Sequence, residues 1–434
     1  MRLSYTKSTL PNGLDVIVHE DHRVPIVAVS VWYHVGSKNE VQGRTGLAHL
    51  FEHLMFEGSE HQPRSFFEPL QEAGGSLNGS TSTDRTNYWE VVPKDAAARA
   101  LWMEADRMGW LLPALSETRF TTQRDVVLNE RRQSYENRPY GLAQFALLDA
   151  IYPPDHPYHW PTIGYPDDLR AATADDARAF FARYYHPGNA SLCIGGDIDS
   201  STALDLAVRV FGEIPPGPAV GPVDAPRPIA RARRLVLEDR VELPRLYLAW
   251  PSPALFAPAD AELDLVADLL ANGRTSRLYE RLTHEARIAT ELAASQGSRE
   301  LGGSFQIVAS AAPGHTLEEL ESAIARELRT FAADGPTSGE LERGRAQAEA
   351  SFVLRLQTLG GFGGRTDQLN AYNIYRRAPD FFDEDLKRYL DATGDALRTS
   401  ARDWLDPDRA VALSVVPRGH ADLALPGSTA VSLT

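Results

Sequence analysis

Two hydrophobic periods run along the chain. Apolar residues alternate with polar ones, with high β-branched content, in "LDVIVHE", "PIVAVSVWYHVGS" and "TDRTNYWEVVP", which predicts strands, the first two paired. Helical spacing governs "AAARALWMEADRMGWLL" and "ETRFTTQRDVVLNERRQSYEN", the second opened by Ser116 as a candidate N-cap. Strands and helices mix without strict alternation, which predicts an α+β fold with a mixed or antiparallel sheet covered by helices.

The pattern breaks once, in the Pro/Gly-rich stretch "EIPPGPAVGPVDAPRPIARARR" from Glu213 to Arg234, which reads as a linker. The two halves it separates look alike. "EDHRVPIVAVSVWYHVGS" from Glu20 parallels "EDRVELPRLYLAWPSPA" from Glu238, and "GLAHLFEHLMFEG" parallels "ELDLVADLLANG". An internal duplication is expected, giving two homologous α/β-sandwich halves at residues 1–217 and 218–434, the first catalytic and the second without a metal motif.

The helix in "GLAHLFEHLMFEGS" carries chemistry that a core helix does not need. His49, Glu52 and His53 stand at i, i+3 and i+4 and share one face. Two imidazoles one turn apart can hold a Zn²⁺ ion, and a carboxylate between them can reach a water at its open position. A catalytic zinc keeps three protein ligands, so one more must come from elsewhere. The H-x-x-E-H order is the inverzincin arrangement, and a chain of this composition yields on the order of 0.02 such matches by chance. For any one of these histidines alone, a satisfied buried polar residue is the simpler reading.

Composition narrows the choices. The single cysteine, Cys193, excludes an intrachain disulfide framework and a cysteine-rich zinc site, leaving His and carboxylate ligands. The formal charge of −15 argues against nucleic acid as a partner. No apolar run reaches bilayer-spanning length and the N-terminus has no signal-peptide pattern, so the expectation is a cytoplasmic protein with no membrane partner, periplasmic if a presequence has been removed.

The segments "LPNGLDVIVHEDHRVP", "GRTGLAHLFEHLMFEGS", "AGGSLNGSTSTDRTNYWEVVP", "RDVVLNERRQSYENRPYG" and "HPYHWPTIGYPDDL" resemble, in the same order, those of the pitrilysin/insulinase-type zinc metallopeptidases. The resemblance implies a zinc endopeptidase acting on peptides or unfolded segments inside a chamber. It places the third zinc ligand at Glu130 in "VVLNERR", with Glu52 as general base. It makes "GGSLNGSTS" a substrate-binding edge strand, with Asn78, Gly79 and Ser80 as candidate contacts; a Gly-rich turn leading into a strand explains the same residues.

Two departures from the family stand out. Where many relatives carry a second glutamate seven residues before the ligand glutamate, this chain has Gln123, which can support the centre by hydrogen bonding but cannot carry charge. Where complete single-chain members place an arginine and a tyrosine seven residues apart in the second half, this chain has Thr283 and Thr290; Arg281 and Arg287 lie nearby with no tyrosine at the required offset. The resemblance then implies a zinc-carrying subunit of a heterodimer whose homologous partner supplies the Arg/Tyr pair, with a non-catalytic structural subunit as the alternative. The Gly-rich "TLGGFGGRTDQLNAYN" from Thr358 lacks the context of a phosphate loop and reads as a flexible loop. His156 and His159, in a Pro-rich stretch with no third ligand in view, read as local packing.

Overall fold

Two six-stranded sheets, whose central strands Asp15–Glu20, Ile26–Tyr33, Ala190–Gly196 and Val411–Pro417 are buried almost throughout, are seen in a computed structural model that describes residues 3–229 and 231–431. The first sheet contains β1 (Thr6–Thr9), β2 (Asp15–Glu20), β3 (Ile26–Tyr33), β4 (Ser76–Thr81), β5 (Thr86–Pro93) and β6 (Ala190–Gly196). The second contains β7 (Arg233–Asp239), β8 (Arg245–Ser252), β9 (Ala289–Gly297), β10 (Gly303–Ala311), β11 (Val411–Pro417) and β12 (Thr429–Ala430). The strands expected from the sequence are β2, β3 and β5, but β2 and β3 do not pair with each other: β6, from far along the chain, lies between them, parallel to β2 and antiparallel to β3.

The orders β1-β2-β6-β3-β5-β4 and β12-β7-β11-β8-β10-β9 match strand for strand over five positions, from β2 and β7 to the β4 and β9 edges. The parallel pair β2–β6 matches the parallel pair β7–β11, and the antiparallel ladders that follow match in turn. This is the duplication, and the fold is α+β in two homologous halves. Only the outermost strands break it: β1 is antiparallel to β2, whereas β12 is parallel to β7.

The compact units are interleaved in sequence. One comprises the chain up to Glu130, Trp160–Asp224 and Phe352–Glu384; the other comprises Arg131–His159, Ala225–Ser351 and the chain from Asp385 onward. The division at 217/218 follows sequence order, and these units do not. The reason is that each sheet has two faces to cover. In the first unit, helix Arg365–Arg376 packs on β3 and β6. There Asn370 Nδ2 donates to Ser30 O at 2.9 Å, Asn373 Nδ2 to Asp15 Oδ2 at 2.9 Å and Trp32 Nε1 to Asp367 Oδ1 at 2.7 Å. In the second unit, helix Ala143–Ile151 supplies Ala146, Leu147 and Ala150 to a cluster with Leu235, Leu413 and Val415. A helix from each half of the sequence thus closes the sheet built by the other half.

The linker has no regular element from Pro215 to Ile229, and β7 begins inside its expected end; Ala230 lies outside the described residues. The Gly-rich segment from Thr358 touches the sheet at Gly360 and runs into helix Arg365–Arg376: a Cβ on Gly360 would come within 2.6 Å of Val91 and 2.7 Å of Ala28, so glycine permits the backbone to lie on the sheet there. Among the described residues no helix is long and apolar enough to cross a membrane.

Candidate metal centre

Two helices of the first unit bring the centre together. Helix Leu47–Leu54 buries Leu47, Ala48, Leu50, Phe51 and Leu54, which leaves His49, Glu52 and His53 on its other face. Helix Glu117–Arg131 opens on Ser116, whose Oγ accepts from Arg119 N at 3.2 Å, as the sequence suggested. It ends in a turn that presents Glu130 to the two imidazoles. Glu130 Oε2 lies 3.2 Å from His53 Nε2 and 3.8 Å from His49 Nε2. The imidazole rings stand 4.9 Å apart at 80°. One ligand atom from each of the three residues lies within 4.8 Å of the others, and no other such group of His, Cys, Asp or Glu occurs among the described residues.

The electrostatics suit a cation. Burial, reinforced by the neighbouring His53, pushes His49 down to about 4 against the opposing pull of Glu130, so its ring is neutral and able to ligate at neutral pH. The hydrogen bond with His53 holds Glu130 below the usual carboxylate range despite its partial burial. Nδ1 of His49 is buried with no hydrogen-bond partner, so its tautomer is set by whatever occupies Nε2. Two imidazole nitrogens and one carboxylate oxygen form the donor set of an open zinc site, so these residues fit the ion.

Burial raises Glu52 above the ordinary glutamate range, with Thr81, His53 and Arg85 pulling it back. A glutamate whose proton affinity is raised by burial is better suited to proton transfer than an ordinary exposed one. Thr81 and Arg85 carry no motif in the sequence; they reach Glu52 because the β4–β5 hairpin turns beside helix Leu47–Leu54.

Asn78, Gly79 and Ser80 lie on β4, the last strand of the sheet order, and no described strand pairs with its outer edge. Asn78 Oδ1 accepts from Gly79 N at 2.8 Å. Ser80 Oγ donates to Asn87 Oδ1 at 2.7 Å and accepts from Arg85 Nη1 at 2.6 Å. A Cβ on Gly79 would stand 2.9 Å from Tyr88 and 3.1 Å from Phe56, so the absent side chain lets β4 pack on the residues that follow the metal helix. Gln123 is buried on the Glu130 helix.

In the second unit, Thr283 Oγ1 is buried without a partner and Thr290 Oγ1 donates to Ser310 O at 3.4 Å. Arg281 pairs with Glu327 at 2.9 Å. His156 and His159 are taken up locally: His156 Nδ1 accepts from Tyr158 N at 2.9 Å, and His159 Nδ1 lies 2.8 Å from Tyr152 O.

Fold and donor set together define a two-unit α+β protein with a His₂Glu cluster that could hold a metal ion. The chain belongs to the insulinase family, peptidase family M16: the model of that family matches residues 15–154, and a model described as the peptidase M16 inactive domain matches residues 171–348. It is 30% identical to the zinc protease PqqE of Helicobacter pylori over 365 residues, 82% of this chain and 81% of that one. It is 26% identical to the uncharacterized zinc protease YmxG of Bacillus subtilis over 81% of this chain and 84% of that one. Among solved structures, a protease from Helicobacter pylori matches with a TM-score of 0.88 and 27% identity, covering 96% of this chain and all of the other.

Proposed function

We propose that this chain is a zinc-dependent endopeptidase that hydrolyses peptides or unfolded segments, with His49, His53 and Glu130 holding the ion. The observation that carries the reading is the convergence of those three donors beside Glu52, which stands on the same helix face as the two histidines. A bound zinc ion supplies Lewis acidity and lowers the pKa of water to roughly 7. Glu52, raised by burial, takes the proton from the attacking water on its carboxylate and returns it to the leaving amine. The open edge of β4 accepts an extended peptide by main-chain hydrogen bonding, with Asn78, Gly79 and Ser80 alongside the scissile bond. Gln123 supports the Glu130 helix from within, without a proton role.

The partner follows from what the second half lacks. Thr283 and Thr290 offer neither a cation nor a phenol, so the enzyme works as a heterodimer with a homologous chain that carries an Arg/Tyr pair. The match of residues 171–348 to an inactive-domain model supports a division of labour, and it also favours a second reading, a non-catalytic subunit. The test is digestion of a mixed peptide pool by the zinc-loaded chain, alone and with a homologous Arg/Tyr chain, using Glu52→Gln as control. Cleavage that needs the partner and vanishes in the control is expected. Cleavage by the chain alone would overturn the heterodimer, and none in either case would leave the structural-subunit reading.

A further inference from the structure

The metal helix has eight residues and no side-chain cap of its own. Its N-cap is Gly46, at φ 91°, so the first-turn N–H groups need acceptors from elsewhere. Glu40 provides them: its Oε2 accepts from Gly46 N at 2.9 Å and its Oε1 from Ala48 N at 2.7 Å. The residue is 6% exposed, so this is a buried carboxyl spent on one helix end. Thr45 is held separately, its N and Oγ1 donating to Asp168 Oδ2 at 3.1 and 2.7 Å and its Oγ1 accepting from Tyr165 N at 2.8 Å.

The two oxygens of Glu40 grip the peptide units on either side of Leu47, and His49 is the next residue after Ala48. A short helix held at two N–H groups two residues apart is fixed both in rotation and in translation along its axis. Those two coordinates set where His49 and His53 stand relative to Glu130, which belongs to a separate helix. A metal site tolerates errors of only about 0.5 Å in its donors.

We propose that Glu40 is a positioning residue of the metal centre: by clamping Gly46 and Ala48 it sets the helix so that His49 and His53 meet Glu130, an inference that rests on the zinc reading above. The test compares zinc affinity, by competition with a chromophoric chelator, and the visible spectrum of the cobalt-substituted full chain. Wild type, Glu40→Gln and Thr45→Val are measured, with the thermal stability of each apo form. The amide of Glu40→Gln retains one acceptor oxygen and loses the other. Its affinity is expected to fall about tenfold, on the scale of supporting contacts around metal ligands, with altered cobalt bands. Thr45→Val, which loosens the same approach through Asp168, is expected to lose stability and keep its affinity and spectrum.

Unchanged affinity and spectrum in Glu40→Gln would overturn the proposal and leave Glu40 as a structural cap. Wild type that binds no zinc would instead remove the functional reading beneath it. Should Glu40→Gln fail to fold, hydrogen exchange on the metal-free wild type decides: the Gly46 and Ala48 amides are expected to exchange as slowly as the helix interior, and exchange at the rate of a frayed end would overturn the clamp.

Discussion

Helix Leu47–Leu54 of the first unit and helix Asp260–Ala271 of the second occupy the same place in a repeated fold, and they differ at three positions that share one face. Counted back from Gly58 and Gly273, His49 corresponds to Asp264, Glu52 to Ala267 and His53 to Asp268. In the first unit the three side chains are left for a ligand. In the second they are consumed or missing: Asp264 accepts from the Tyr389 hydroxyl at 2.6 Å, Asp268 accepts from Asn272 Nδ2 at 2.6 Å, and Ala267 is buried. A repeated scaffold therefore does not repeat a site, and three positions on one helix face separate the two outcomes.

The largest effect that would break this comparison lies at Glu52. Glu52→Gln is expected to lower kcat/KM about 10³-fold, within the range for a general acid–base group, while the zinc content measured by emission spectroscopy stays at the wild-type level. Loss of zinc along with activity would mean that Glu52 serves the site's structure instead. Metal removal comes next. A ligand that binds only the folded state stabilises it by about 2.7 kcal/mol at a hundred times its Kd, so in scanning calorimetry chelation should lower the transition of the first unit and leave that of the second in place. A matching shift in both would erase the distinction between the units.

A smaller effect separates the two helices by pH. Burial pushes Asp264 up to about 7 from an ordinary value near 4. The folded state then holds a proton that the unfolded state releases, so a destabilising penalty appears above pH 4 and grows until about pH 7. Asp264→Asn should gain on wild type over that window, by a few kcal/mol at its upper end, in urea melts taken across the range. A difference that is flat with pH would contradict it.

The smallest effect has the opposite sign. The Arg277 guanidinium holds Glu340 down to about 2, at 2.7 Å. Its contribution is full above pH 4.5 and is lost as pH falls towards 2. Glu340→Gln should flatten that acid limb by less than about 1 kcal/mol, given its partial exposure. An unaltered acid limb would show that the pair adds nothing.

Much of this was legible in the sequence, for a reason that particular residues make plain. Strands β2, β3 and β5 announce themselves because alternation is a local property, and His49, Glu52 and His53 do so because helical spacing places them together before any tertiary contact forms. Glu130 is different. Its helix is polar along most of its length and contains nothing to single out one glutamate, so only the family resemblance pointed to it. The interleaving of residues 131–159 and 352–384 left no local trace either, since Asn370 and Asn373 become readable only once Ser30 and Asp15 face them. Glu40 offered one faint signal, an acid shortly before a helix that begins on glycine without a Ser, Thr, Asp or Asn cap.

The most direct test of the account is a zinc titration of the metal-free chain by calorimetry, set beside the same titration of Glu130→Ala. One tight site per chain is expected in the wild type and its loss in the variant, because Glu130 closes a donor set that occurs once among the described residues. A wild type that takes up no zinc, or a variant that binds it as tightly, would contradict it.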